Sequence, residues 1–121
     1  MRKRISMAGA DVAVTDERVA DLALEYAMQL GRAGTTEVVR LPVARNGRAE
    51  EADLLLGPAS QIALTWNDDD VLEAVELPGV DDVVATLQHR IEGLTGTRDH
   101  GMVSEDESDR PVFIDFDDFS G

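Results

Sequence analysis

The chain has 121 residues, 43% apolar and 30% charged, with 25 acidic residues against 11 basic ones and a formal charge of −14. That size fits one small globular domain with a modest core; the charge disfavours nucleic-acid phosphates and anionic membrane surfaces and attracts basic proteins. Cysteine is absent, which excludes disulfides, thiolate zinc sites and thiol nucleophiles.

Met1 to Arg4 (MRKR) opens like the basic region of a signal peptide, but Ile5 to Ala10 is short and broken by Ser6 and Gly9. No apolar run approaches the length of about 18 residues that a membrane helix needs, so a cytoplasmic protein without a membrane segment is expected. Residues 1–9 read as a basic arm, and Ala10 to Val14 alternates enough for a short strand or a lead-in to a helix. Thr15 stands as a hydroxyl cap before Asp16 and Glu17, which predicts a helix over 16–32 ended by Gly31 and Gly34.

On that helix Val19, Leu22, Ala23, Tyr26, Ala27 and Leu30 form one stripe, and Ala20, Leu24 and Met28 widen it. Arg18, Asp21, Glu25, Gln29 and Arg32 make the polar face. The apolar arc is roughly twice the 100° of an ordinary surface helix. Either a second helix of the same chain covers the surplus, or Leu24 and Met28 face a second copy or a partner.

From Thr35 the apolar period changes to two, and Asn46-Gly47 is the favoured pair for a two-residue hairpin turn, because both central residues need positive φ. That turn sets Arg40 opposite Asp53, Val39 opposite Leu54 and Leu41 opposite Ala52. It also sets Arg45 against Arg48 and Val43 against Glu50, poorer pairs that predict an open, mobile tip. Pro42 has no N–H, which predicts an edge strand or a bulge. Leu54 to Leu56 is apolar on both faces and so predicts a strand in the middle of the sheet. After Gly57-Pro58, Ile62, Leu64 and Trp66 alternate as a further strand.

Asn67 can cap a short helix to about Glu76, with Asp68, Asp69 and Asp70 at its positive end. Pro78-Gly79 ends it. Val80, Val83, Val84, Leu87, Ile91 and Leu94 then mark an amphipathic helix over 80–94 that packs on the sheet, with Gly93 and Gly96 as its stop. Residues 99–121 hold eight acids and Arg110 as the one base, and read as a disordered acidic tail. All three phenylalanines of the chain stand in it, within Pro111 to Phe119 (PVFIDFDDF), so this stretch is expected to dock.

The catalytic candidates are weak. VFIDFDDF resembles, over about eight residues, the opening motif of haloacid-dehalogenase-type phosphatases, which would make Asp115 the nucleophile and Asp117 the second acid. That family needs a whole α/β domain after the motif, and the sequence ends at Gly121, so the expectation is against it. Two histidines, His89 and His100, without a carboxylate set make no metal site, and Ser60 in GPAS stands in a turn with no partner base. No glycine-rich phosphate cradle appears.

The expected architecture is one α+β domain over 10–96. It has a three- to four-stranded, mainly antiparallel sheet covered by two main helices, in the order (β)αβββαα, between the arm at 1–9 and the acidic tail at 97–121. The expected function is a non-enzymatic protein-binding or regulatory module without cofactor or metal. Its tail, through Phe113, Ile114, Asp115, Phe116, Asp117, Asp118 and Phe119, would engage a basic protein partner, and direct nucleic-acid or membrane binding is not expected. The alternatives are a homo-oligomeric assembly protein, most simply a homodimer, using Leu24 and Met28, and a small carboxylate-based enzyme or accessory subunit.

Overall fold

In the computed structural model, which describes residues 1–102, a five-stranded antiparallel sheet organises a unit running from Met1 to Ile91. The elements in chain order are β1 (Arg2–Met7), β2 (Ala10–Asp16), α1 (Glu17–Ala33), β3 (Glu37–Arg45), β4 (Arg48–Leu56), β5 (Ile62–Trp66), α2 (Asp70–Ala74) and α3 (Val80–Met102). Across the sheet the strands lie in the order β4-β3-β2-β1-β5. The α+β class, the antiparallel sheet and the helices agree with the sequence reading. The sheet has five strands rather than three or four, and the order is ββαβββαα.

The extra strand is the segment read as a basic arm. Arg2–Met7 pairs with β2 on one side and β5 on the other, so it is interior. Ala8 and Gly9 make its two-residue turn, both at positive φ (53° and 85°). Alanine is a poor signal for that conformation, which hides the hairpin in the sequence.

The β3–β4 hairpin has the expected register throughout, with Arg40 opposite Asp53 and Arg45 opposite Arg48. Asn46 and Gly47 take positive φ as the turn requires. The ladder stays closed to its tip, contrary to the open loop expected there. Arg45 escapes its like-charged neighbour by reaching diagonally to Glu50, with Nε 3.3 Å from the carboxylate. In this register Glu37, Val39, Leu41, Val43 and Arg45 turn their backbone groups to β4, while Arg40, Pro42 and Ala44 turn theirs to β2.

Pro42 therefore sits on an interior strand, not at an edge. Its missing N–H falls on the β2 side, where the ladder reduces to the single bridge Val14↔Ala44. The Pro42 carbonyl accepts a hydrogen bond from the buried Thr15 hydroxyl at 2.6 Å. Thr15 is thus a β2 residue rather than a helix cap, and Asp16 caps α1 by accepting the Arg18 backbone N–H. Gly34, at φ 69°, closes the helix.

Alternation places Ile5, Leu41, Val43, Leu54 and Leu56 on one face, all buried, under Val19, Ala23, Tyr26 and Leu30 of α1. Leu87 of α3 is buried as well and borders a hollow with Val39 on that face. Gln29, expected on the polar face, is buried. The short α2 lies by β3 and over the opposite face, where the Arg2 guanidinium donates to the Leu72 carbonyl. Its cap is Asp69, two residues after the one expected.

Two further expectations fail for local reasons. β4 is an edge strand, and Leu55, 60% exposed, lies on the face that no main helix covers. α3 continues past Gly93 and Gly96 to Met102, since neither glycine turns left-handed; each weakens a helix by about 1 kcal/mol without ending it. A second unit begins at Glu92, of which residues 92–102 are helical. Residues 97–102, the first of the expected tail, continue α3. No described helix is long and apolar enough to cross a membrane.

Candidate functional site

The chain leaves β4 at one edge of the sheet and returns as β5 at the other. The crossing is a turn in which the Gly57 N–H donates to the Ser60 hydroxyl at 2.9 Å and the Ser60 N–H to the Gly57 carbonyl at 3.1 Å. The Ser60 hydroxyl is thereby engaged in the turn, and it also donates to the Leu55 carbonyl at 3.4 Å. Pro58 passes beneath α1, its Cα 3.8 Å from where a Cβ on Gly31 would lie.

The polarity of the β5 ladder follows from two bonds at its ends. The Asn67 N–H donates to Arg2 O at 3.0 Å, and the Ala8 N–H to Gln61 O at 2.9 Å. Hydrogen-bonded pairs alternate along an antiparallel ladder, so Ala63 and Thr65 also turn their backbone groups to β1. Ile62, Leu64 and Trp66 turn theirs outward, to the open edge. Applied to β4, the same alternation sends Ala49, Glu51, Asp53 and Leu55 outward. The two edges therefore differ: β4 shows carboxylates, which discourage strand addition, whereas β5 carries no charged residue.

Beside the β5 edge lies a cleft of about 580 Å³ between α1 and the 57–62 segment. Leu24, Met28, Pro58 and Ile62 supply its apolar walls, and Asp21 and Glu25 stand on the α1 side. Leu24 is 40% and Met28 51% exposed, so no second helix of the described chain covers the surplus apolar arc of α1. Trp66, 53% exposed, extends the same face, and the Lys3 ammonium lies 4.7 Å from its ring centroid. Lys3 also binds Asp21 at 2.7 Å, which neutralises that acid.

No protein-family model matches the chain, and no curated protein or solved structure is significantly similar to it.

A second polar constellation ties the N-terminus to α2. The buried Asn67 amide donates to Glu73 Oε2 at 2.9 Å and to the Asp69 carbonyl at 2.9 Å, while its oxygen accepts from the Arg4 guanidinium at 3.2 Å. The Arg2 backbone N–H reaches the same Glu73 oxygen at 3.0 Å. The hydrogen bond from Asn67, helped by that from Arg2, holds the Glu73 carboxyl below the usual carboxylate range. A depressed pKa contributes stability that is complete above the unfolded value of about 4.3 and is lost as pH falls through the folded value. Urea midpoints measured from pH 6 down to pH 3 should therefore fall, and Glu73→Gln should flatten that slope. An unchanged slope would remove Glu73 from the acid response.

These groups are satisfied by one another and fasten the sheet, which is a structural task. The basic character of residues 2–4 is spent on Leu72, Asp21 and Asn67. Among the described residues no three His, Asp or Glu side chains gather in a way that could hold a metal ion. His89 is exposed on α3 and Asp69 is occupied as a cap. Phe113, Ile114, Asp115, Phe116, Asp117, Asp118 and Phe119 lie outside the described residues. Sequence reasoning singled out Leu24 and Met28, which are exposed here, but did not anticipate the open β5 edge beside them. The signal available was the uncharged run Ile62–Trp66, whose place in the sheet depends on recognising β1.

Proposed function

We propose that the chain is a non-enzymatic protein-binding module whose contact surface is the α1–β5 face. The observation that carries this reading is the outward-facing backbone of Ile62, Leu64 and Trp66 running beside exposed Leu24 and Met28. An uncharged edge strand next to an apolar cleft suits an added strand whose side chains enter the cleft. The acidic aromatic stretch Phe113, Ile114, Asp115, Phe116, Asp117, Asp118 and Phe119 is proposed as a second contact, fitted by charge to a basic groove on a protein partner.

The test is co-precipitation with the full chain as bait, compared with Leu24→Glu and with a chain lacking residues 105–121. Leu24→Glu should lose most of the proteins bound at the α1–β5 face while keeping the native circular dichroism. The truncation should lose basic partners only. Bound proteins unchanged by Leu24→Glu would refute the proposed surface, and those unchanged by truncation would refute the tail's role.

A further inference from the structure

We infer that the partner of the β5 edge is a second copy of this chain, the two β5 strands pairing antiparallel about a twofold axis through Leu64. This rests on the α1–β5 face being a protein-binding surface and names its occupant.

Three observations converge on a second copy. The first is register. The outward backbone groups belong to Ile62, Leu64 and Trp66, a set of three centred on Leu64. A twofold axis at Leu64 sets Leu64 against its equivalent and Ile62 against Trp66 of the other copy. Every outward N–H then meets an outward carbonyl, with no group left over. A symmetric interface demands such self-complementarity, and a strand with a proline or an off-centre charge would not supply it.

The second observation is the position of α1. A twofold axis perpendicular to the sheet keeps both copies of α1 on the same face of the merged sheet. Leu24 and Met28 project beside β5, since they share the cleft with Ile62. The operation that joins the edges therefore also brings the two uncovered stripes towards each other across the seam. One partner accounts for both exposed features.

Charge is the third. Two chains of formal charge −14 repel, and they can meet closely only where the surface is locally neutral. β5 carries no charge, and Lys3 bonds Asp21 at its flank, leaving Glu25 as the net charge on that side. The opposite edge, β4, has Glu51 and Asp53 in its outward-turned set; Arg40 pairs with Asp53 at 2.9 Å and lies 3.9 Å from Glu51, one cation for two acids, so charged side chains crowd that edge where β5 has none. The neutral edge is thus the one suited to self-pairing, whereas a strongly basic partner would be drawn to the acidic surfaces elsewhere.

The chain has no cysteine, so single substitutions report the register directly. In the inferred pair the two Cα atoms of residue 64 stand about 5.5 Å apart, inside the range of about 4.4 to 6.8 Å that a disulfide spans. Under mild oxidation the full-length Leu64→Cys chain should form a covalent dimer rapidly. Leu55→Cys, on the outward register of the other edge, should not.

Sedimentation velocity on the unsubstituted full chain should show a concentration-dependent dimer. The emission of Trp66, the sole tryptophan, should shift blue over the same concentration range. Trp66→Lys, at a half-exposed position, should weaken the dimer by about tenfold or more. The inference is overturned if the chain stays monomeric at high concentration and Leu64→Cys links no faster than Leu55→Cys. If co-precipitation nevertheless depends on Leu24, the binding surface stands and only self-pairing falls; if it does not, both fall.

Discussion

Asn67→Ala should lower the unfolding free energy by roughly 2–3 kcal/mol, the range for stripping partners from buried and charged groups. Asn67 is 2% exposed and ties the local segment 67–73 to β1, far away in sequence. Its oxygen takes the Arg4 guanidinium, and its amide takes both the Asp69 carbonyl and Glu73. Alanine would leave Arg4 and Glu73 each short of a partner in a place where water can only partly replace it. The adjacent Asp68 is exposed, and Asp68→Ala should change stability by no more than about 0.5 kcal/mol. Because Asn67 is also the main cause of the depressed Glu73 pKa, its removal should flatten the acid response along with the midpoint. Urea denaturation of both variants at pH 7 and near pH 4 measures the two effects together. A loss below about 1 kcal/mol at pH 7 would show that Asn67 is only a turn residue.

The features legible in the sequence are those with local causes. The Asn46-Gly47 pair fixes a turn, and a two-residue turn fixes every pairing from Arg45–Arg48 to Glu37–Leu56, all of which are found. Helix α1 ends at a left-handed glycine, Gly34, visible as a residue type, whereas its cap is Asp16, one residue after the Thr15 expected. What could not be read was which strands become neighbours. Arg2–Met7 carries three basic residues, and its hairpin turns on Ala8, a residue type that gives no warning of positive φ. With β1 unrecognised, β5 had no reason to lie anywhere but beside β4.

That one omission moved the candidate site. Leu54 to Leu56 looked central because both its faces are apolar, yet the strand ended up at an edge with Leu55 exposed. Conversely, Ile62–Trp66 looked like ordinary core strand, yet its outer backbone is open. The wide apolar arc of α1 was legible as a problem, since counting residues around a helix needs no tertiary knowledge. Its solution was not, because only the sheet order shows that Leu24 and Met28 overhang the uncharged edge. Pro42 is the same kind of case: the missing N–H is plain in the sequence, but the weakened seam it faces is a property of how β2 and β3 meet.

The face assignment can be tested by comparing two leucines of one hairpin. Leu41→Ala should lower stability by about 2–5 kcal/mol, since the side chain is fully buried and its loss adds a cavity to the lost transfer free energy. Leu55→Ala should cost about 0.5 kcal/mol or less, because most of that side chain is already in water. If the strand Leu54–Leu56 were interior, with both faces covered, the two values would converge. Their ratio therefore reports which face of the sheet is covered through stability alone, independently of any binding experiment. A large loss for Leu55→Ala would have a specific meaning: something covers the second face near β4 in solution. Repeating that variant in the chain lacking residues 105–121 would show whether the acidic aromatic stretch is the cover. If the loss vanishes in the shorter chain, the phenylalanines dock on this chain's own sheet, and they are then not free to bind a basic partner at the same time.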